Sequence, residues 1–213
     1  MKTIYTSLFC ILLLISCNQE VPLYSCDPVI NEYVTNNKEE LTTLTVKDLS
    51  SADLQFQQAV FRSYSPEKKR EIWIQKINSL LENEEYCEDE YAHIKKILNH
   101  LSSDYFTPER LNSNADQRSQ FASEWINYAK KNLGWTDKQV AFVVYRIYTS
   151  QTQFELELKA LAAIQQQSTS NSEGSCDCNI SENYCPSNCR SGKCNITSGC
   201  GWLWSGSCNG TCN

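Results

Sequence analysis

The sequence predicts an all-α fold, a multi-helix orthogonal bundle, followed by a small disulfide-rich C-terminal module. Three observations lead there. Between residues 48 and 166, apolar side chains recur at three- and four-residue spacing, bracketed by capping signals. Only seven Gly and five Pro interrupt the 213 residues. Eight of the twelve Cys fall within the last 38 residues, a density that belongs to cross-linked scaffolds and not to ordinary cores. With 19 basic against 25 acidic residues and a net charge of −6, the chain lacks the basic clusters that neutralise phosphates, so no nucleic acid partner is expected.

Residues 1–16 read as a lipoprotein signal peptide. Lys2 precedes the apolar run from Leu8 to Ile15, which is long enough for a signal core and short for a membrane span. The run ends Leu14-Ile15-Ser16-Cys17, which resembles a bacterial lipobox. That resemblance implies cleavage before Cys17 and acylation of its sulfur and amino groups, anchoring the chain in its own membrane at about 0.8 kcal/mol per buried methylene. Asn18 follows, with no Asp at that position to signal inner-membrane retention. An outer-membrane or cell-surface lipoprotein of the bacterial envelope is therefore expected. The alternative for Cys17 is a disulfide half in an ordinary secreted chain.

Residues 17–47, with Pro22, Pro28, Asn31, Asn36 and Asn37, read as a tether with one short helix. The helical domain is placed at 48–166. Asp48 is the expected cap of a helix carrying Leu54, Ala59, Val60 and Phe61. Ser65-Pro66-Glu67 starts the next, because it supplies a capping oxygen, Pro at the first position and an acid in the first turn. That helix faces inward with Ile72, Trp73, Ile77, Leu80 and Leu81. A third is expected over Glu84 to Leu101, and Thr107-Pro108-Glu109 restarts the chain by the same logic. The stripe Phe121, Trp125, Ile126, Ala129 and Leu133 predicts a helix over 115–133 that Gly134 terminates. Thr136 with Gln139, then Thr152 with Glu155, resemble capping boxes for the last two. Leu156, Leu158, Leu161 and Ile164 make the apolar face of the final helix.

This domain shows no catalytic pattern. His93 and His100 stand seven apart without the spacing or second element of a zinc motif, and read as solvated or satisfied histidines at a helix edge. The acids from Glu82 to Glu90 lack the spacing and turn glycine of a calcium loop and read as a solvated helix start. Trp73, Trp125 and Trp135 read as core. No nucleophile elbow, P-loop or dinucleotide fingerprint occurs. Neither an enzyme, a metal site nor a cofactor is expected.

Residues 167–175, all polar or Gly, read as a flexible linker. Beyond it Cys176, Cys178, Cys185, Cys189, Cys194, Cys200, Cys208 and Cys212 are spaced C-x-C-x₆-C-x₃-C-x₄-C-x₅-C-x₇-C-x₃-C. There is no C-x₂-C pair and no His in this stretch, so four disulfides are expected in a module at 176–213. So short a chain buries too little apolar surface to fold without cross-links. With Cys10 leaving with the signal and Cys17 lipidated, Cys26 and Cys87 remain as a further expected pair. Trp202, Leu203, Trp204 and Tyr184 have two readings: an apolar patch for a membrane or partner, or the cover of the disulfides.

The C-x-C opening, Tyr184-Cys185-Pro186, Gly199-Cys200-Gly201-Trp202 and Cys208-Asn209-Gly210 resemble the fulvocin C-related bacteriocin family. The cysteine spacing from Cys189 to Cys208 departs from that pattern. The resemblance covers 176–213 and implies an antimicrobial peptide or toxin acting on the envelope or a receptor of target cells, with the helical domain as carrier. The alternative expectation is a cell-surface binding lipoprotein whose stapled tail grips a ligand or partner.

Overall fold

Asp27 caps the first helix: its carboxylate accepts from the backbone N–H groups of Val29 and Ile30, and Pro28 occupies the first position. In the computed structural model, which describes residues 22–167, 178–179 and 189–212, α1 (Pro28–Asn36) leads into two one-turn helices, α2 (Lys38–Leu41) and α3 (Val46–Leu49). Val34, Leu41, Val46 and Leu49 are buried. Residues 28–49 are thus part of the folded body. Over its described part the expected tether of 17–47 is corrected here, because a few apolar side chains spaced across short helices are enough to dock a segment whose periodicity is weak.

Asp48 does not open the next helix. It lies third in α3, completing a capping box with Thr45, and Asp53 is the cap of α4 (Leu54–Ser63). Then follow α5 (Pro66–Asn83), capped by Ser65, α6 (Glu88–His100), α7 (Pro108–Ser113), capped by Thr107, and α8 (Ala115–Asn132). Gly134, at φ +71°, lets the chain turn back so that Trp135 N–H reaches the Ala129 carbonyl at 3.0 Å. Next come α9 (Asp137–Val144), with the Thr136–Gln139 capping box, and α10 (Gln151–Gln167). At α10 the Ser150 hydroxyl, not Thr152, accepts from an early backbone N–H, that of Gln153.

The described part of the C-terminal region is not helical. Strands β1 (Cys189–Cys200) and β2 (Gly206–Cys212) pair antiparallel, with register breaks on either side of Ile196. Cys178 bridges to Gly210. The chain is therefore mostly helical with a C-terminal hairpin, which corrects the all-α expectation. Strands rich in Gly, Cys and Ser carry no alternating apolar pattern, so their pairing has no sequence signature.

The core runs continuously from the helices into the hairpin. Phe61, Trp73, Ile77, Leu80 and Ile94 are fully buried, and Trp202, Leu203 and Trp204 belong to the same cluster. Tyr145 N–H closes α9 on the Ala141 carbonyl at 2.9 Å, and Arg146 to Tyr148 then cross this interior outside any helix. The carbonyls of Tyr145 and Tyr148 find side-chain donors. Arg146 Nη1 and Trp204 Nε1 each donate to the Tyr145 carbonyl at 2.9 Å, and Lys76 Nζ donates to that of Tyr148. Lys76 is completely buried over the Phe142 ring, and burial holds its amine well below the usual lysine range.

Candidate binding cleft and hairpin strap

The two ends of the described chain meet on α4. Arg62 is 92% buried, with 8% exposure, and its guanidinium serves both. Nη1 donates to the Tyr24 carbonyl at 2.7 Å, Nε to the Ser198 carbonyl at 2.7 Å, and Nη2 lies 2.8 Å from Cys208 Sγ. One turn earlier, Gln58 Nε2 lies 3.5 Å from Cys200 Sγ. A buried guanidinium is tolerated when its donors are satisfied, and here they fasten segments far apart in sequence. Gly199 permits this approach. At φ +100° it takes a left-handed conformation, and a Cβ there would lie 2.5 Å from Arg62 Nε.

Among the described residues, two disulfides staple the hairpin, Cys178–Cys189 with Cα atoms 6.0 Å apart and Cys200–Cys208 at 5.1 Å. Between Cys200 and Cys208 the chain makes a tight turn, Trp202–Trp204, in which Leu203 (φ 48°) and Trp204 (φ 55°) are left-handed. Such residues cost about 1–2 kcal/mol each and persist only where packing fixes them. Packing does so here. Trp204 sits edge-on to Phe61 and Trp73, at centroid distances of 5.3 and 6.1 Å. Trp202 sits edge-on to Trp125 and Phe121, at 5.4 and 6.0 Å. Exposures of 2%, 0% and 1% for Trp202, Leu203 and Trp204 correct their expected role as a membrane or partner patch. Their apolar area is already spent inside the helical body.

Cys26 is disulfide-bonded and packs against the hairpin cluster of Ile196, Cys200 and Cys208. Cys87 is free and exposed at the start of α6. The expected Cys26–Cys87 pair is thereby corrected: Cys26 faces the hairpin, whereas Cys87 faces solvent. Cys194 and Cys212 lie on β1 and β2. Their side chains, together with Cys17, Cys176, Cys185 and Tyr184, lie outside the described residues, as does the expected linker at 167–175 apart from Gln167, which ends α10.

His93 is not at a solvated edge. It is 1% exposed, stacked on Trp125 at 4.4 Å and Tyr128 at 4.7 Å, and its Nε2 lies 3.0 Å from the Trp125 carbonyl. Trp125 Nε1 donates back to the His93 carbonyl at 3.0 Å. Burial pushes the imidazole down to about 4. In the acidic stretch, Glu90 accepts from Trp135 Nε1 at 2.6 Å and from Cys87 N–H at 3.0 Å. Burial raises its carboxyl, but these bonds outweigh it and hold it below the usual range. Among the described residues, no group of three or more His, Cys, Asp or Glu side chains is arranged to hold a metal, and no helix is long and apolar enough to cross a membrane.

A cleft opens between α10 and the turn that joins α3 to α4. Its volume is about 690 Å³, within the range of small-molecule sites. Gln153, Leu156, Glu157 and Ala160 line one side at helical spacing, Ser50 to Gln55 the other, with Ile30 and Tyr148 between them. Leu156, expected to face inward, is 60% exposed here. Beneath it Glu157 pairs with the fully buried Arg146, whose Nε lies 3.1 and 3.2 Å from the two carboxylate oxygens. Together with a Lys138–Glu155 ion pair and the stacking of Phe154 on Phe142, this fixes α10 as a rigid wall. Nothing in the sequence marks the cleft, because its walls come from segments about 100 residues apart that carry no motif.

Comparison of the chain with protein-family models, with curated protein sequences and with solved structures finds no match.

Proposed function

We propose that this protein is a bacterial envelope lipoprotein, anchored through Cys17, that acts without catalysis by binding an apolar or amphiphilic ligand in the cleft between α10 and the α3–α4 turn. The observation that supports it is the mostly apolar cleft of about 690 Å³, which exposes Leu156 and is lined by Glu157, itself held by the buried Arg146. The cysteine-rich segment then serves as a structural strap. Releasing it would strip Trp202, Leu203 and Trp204 from the core, uncovering Phe61, Trp73 and Trp125.

Leu156→Glu tests the cleft. The purified chain should bind the apolar dye 1-anilinonaphthalene-8-sulfonate saturably, and the substitution should abolish that binding while leaving the helical circular dichroism unchanged. Dye binding that survives the substitution rejects this cleft as the site. Anchoring has its own test: mass spectrometry of the mature N-terminus should find acylated Cys17, and Cys17→Ser should free the protein from membranes.

A second reading follows from the C-x-C opening and the motifs Tyr184-Cys185-Pro186, Gly199-Cys200-Gly201-Trp202 and Cys208-Asn209-Gly210, which resemble the fulvocin C-related bacteriocin family. In it the intact, anchored protein inhibits competing bacteria by contact with their envelope or a receptor. Growth inhibition by intact protein, lost on reduction, supports this reading; no inhibition across a broad panel of bacteria removes it.

A further inference from the structure

A second pocket, of about 220 Å³, lies where α6 ends against α7 and α8. Its chemistry is unlike that of the apolar cleft. His100 closes α6, its ring lying flat on Phe121 at a centroid distance of 3.7 Å and an interplanar angle of 7°. The His100 Nε2 atom is buried and has no hydrogen-bond partner. Such a group is rarely left unsatisfied without a reason. Arg110 from α7 and Arg118 from α8 line the same pocket. Arg118 has no ion-pair partner among the described residues; its Nη1 donates to the Leu111 carbonyl at 3.0 Å. Arg110 pairs only loosely, its Nε 3.9 Å from the exposed Asp104 carboxylate, which also accepts from Ser102 Oγ at 2.5 Å. With its amide oxygen turned to the guanidinium, the neutral Asn114 accepts from Arg110 Nε at 2.8 Å, from Nη2 at 3.3 Å and from Nη1.

Two planar cations and an imidazole lining one small pocket match an acceptor-only ligand carrying several oxygens. A cation would be repelled, and an apolar group would strand the donors. We infer that this pocket binds a phosphate-class oxyanion, gripped by the Arg110 and Arg118 guanidiniums beside the His100 ring. Burial first, and then the Arg110 and Arg118 charges, hold the His100 imidazole below its usual range, and the charge of a bound anion would oppose that of the guanidiniums. The same chemistry occurs in free phosphate and in a lipid headgroup. The size of the pocket admits the phosphate and not the rest of a lipid, so a headgroup would have to enter from the rim.

The test is an NMR titration of the His100 ring in the purified full-length chain. One arm uses inorganic phosphate, with chloride at equal ionic strength as control. A second arm uses vesicles of phosphatidylglycerol, with phosphatidylcholine as control. Saturable perturbation of His100 by phosphate, or by the anionic vesicles alone, is the expected result and identifies which source is used. Arg118→Gln should weaken the affinity about tenfold or more, the loss expected for one charge-assisted contact. Arg110→Gln serves the same purpose should the first variant not fold. The inference is overturned if neither arm perturbs His100 beyond its control, or if both folded variants bind as tightly as the parent.

Discussion

The indole N–H of Trp204 donates to the Tyr145 carbonyl at 2.9 Å. Residues 59 apart in sequence thereby satisfy each other in the centre of the molecule. The Tyr145–Tyr148 segment has no helical partner for that carbonyl, and the hairpin has no core of its own large enough for two Trp side chains. Each supplies what the other lacks, so hairpin and helices should unfold together.

Trp204→Ala is expected to destabilise the entire chain by about 3–5 kcal/mol, the range for emptying a buried aromatic site. Urea denaturation followed at the helical circular dichroism band measures it. A loss below about 1 kcal/mol, or a hairpin transition separate from that of the helices, would contradict the shared core.

Gly199→Ala should cost at least about 2 kcal/mol, because it combines a disfavoured φ with a collision against a guanidinium that is held in place. Gly134→Ala is the control. Its φ of +71° is also left-handed, but no atom lies within 4 Å of the added Cβ, so only the conformational cost of about 1 kcal/mol remains. Equal losses for the two would show that Arg62 yields without cost.

Stability should fall with acid through His93. Its folded-state value of about 4 lies below the ordinary 6.5, so the unfolded chain takes up the proton first. The contribution is complete above pH 6.5, shrinks as pH falls towards 4, and amounts to about 3 kcal/mol across that window. His93→Phe retains an aromatic ring between Trp125 and Tyr128 and should flatten the slope of melting temperature against pH. His100, depressed in the same direction by burial, Arg110 and Arg118, contributes to the slope that remains, and Glu90 and Asp104, whose carboxyls are also held low, add to it at the acid end. A His93 resonance titrating near 6.5 would exclude this account.

Cys87 should react with a maleimide in the folded, unreduced protein, whereas Cys26, Cys178, Cys189, Cys200 and Cys208 should not. Peptide mapping by mass spectrometry locates the label. Labelling at Cys26 without reductant would contradict the fold around the hairpin.

Local signals in the sequence were the reliable ones. Ser65-Pro66, Thr107-Pro108 and the Thr136–Gln139 box each start a helix where their chemistry requires, because a cap is satisfied within four residues. Trp73, Trp125 and Trp135 are core, as their spacing suggested. What sequence reading missed is long-range. Trp202-Leu203-Trp204 looks the same whether it faces a membrane or fills a hole among α4, α5 and α8, since the hole is made by residues far upstream. The partner of Cys26 is equally invisible, because parity of the cysteine count says nothing about proximity. Arg62 and Gln58 sit on the same helix as Phe61, and only the folded hairpin reveals that they are its fasteners.

The Arg62 bond to Tyr24 also bears on how the protein sits at a surface. Tyr24 is seven residues beyond Cys17, and a fully extended chain of that length reaches about 25 Å. The lipid proposed for Cys17 would therefore tether the molecule by the edge that carries the hairpin, keeping its cysteine-rich end close to the bilayer. An anchor that short would bias orientation as well as location, and would limit the distance at which another cell or a soluble partner is met.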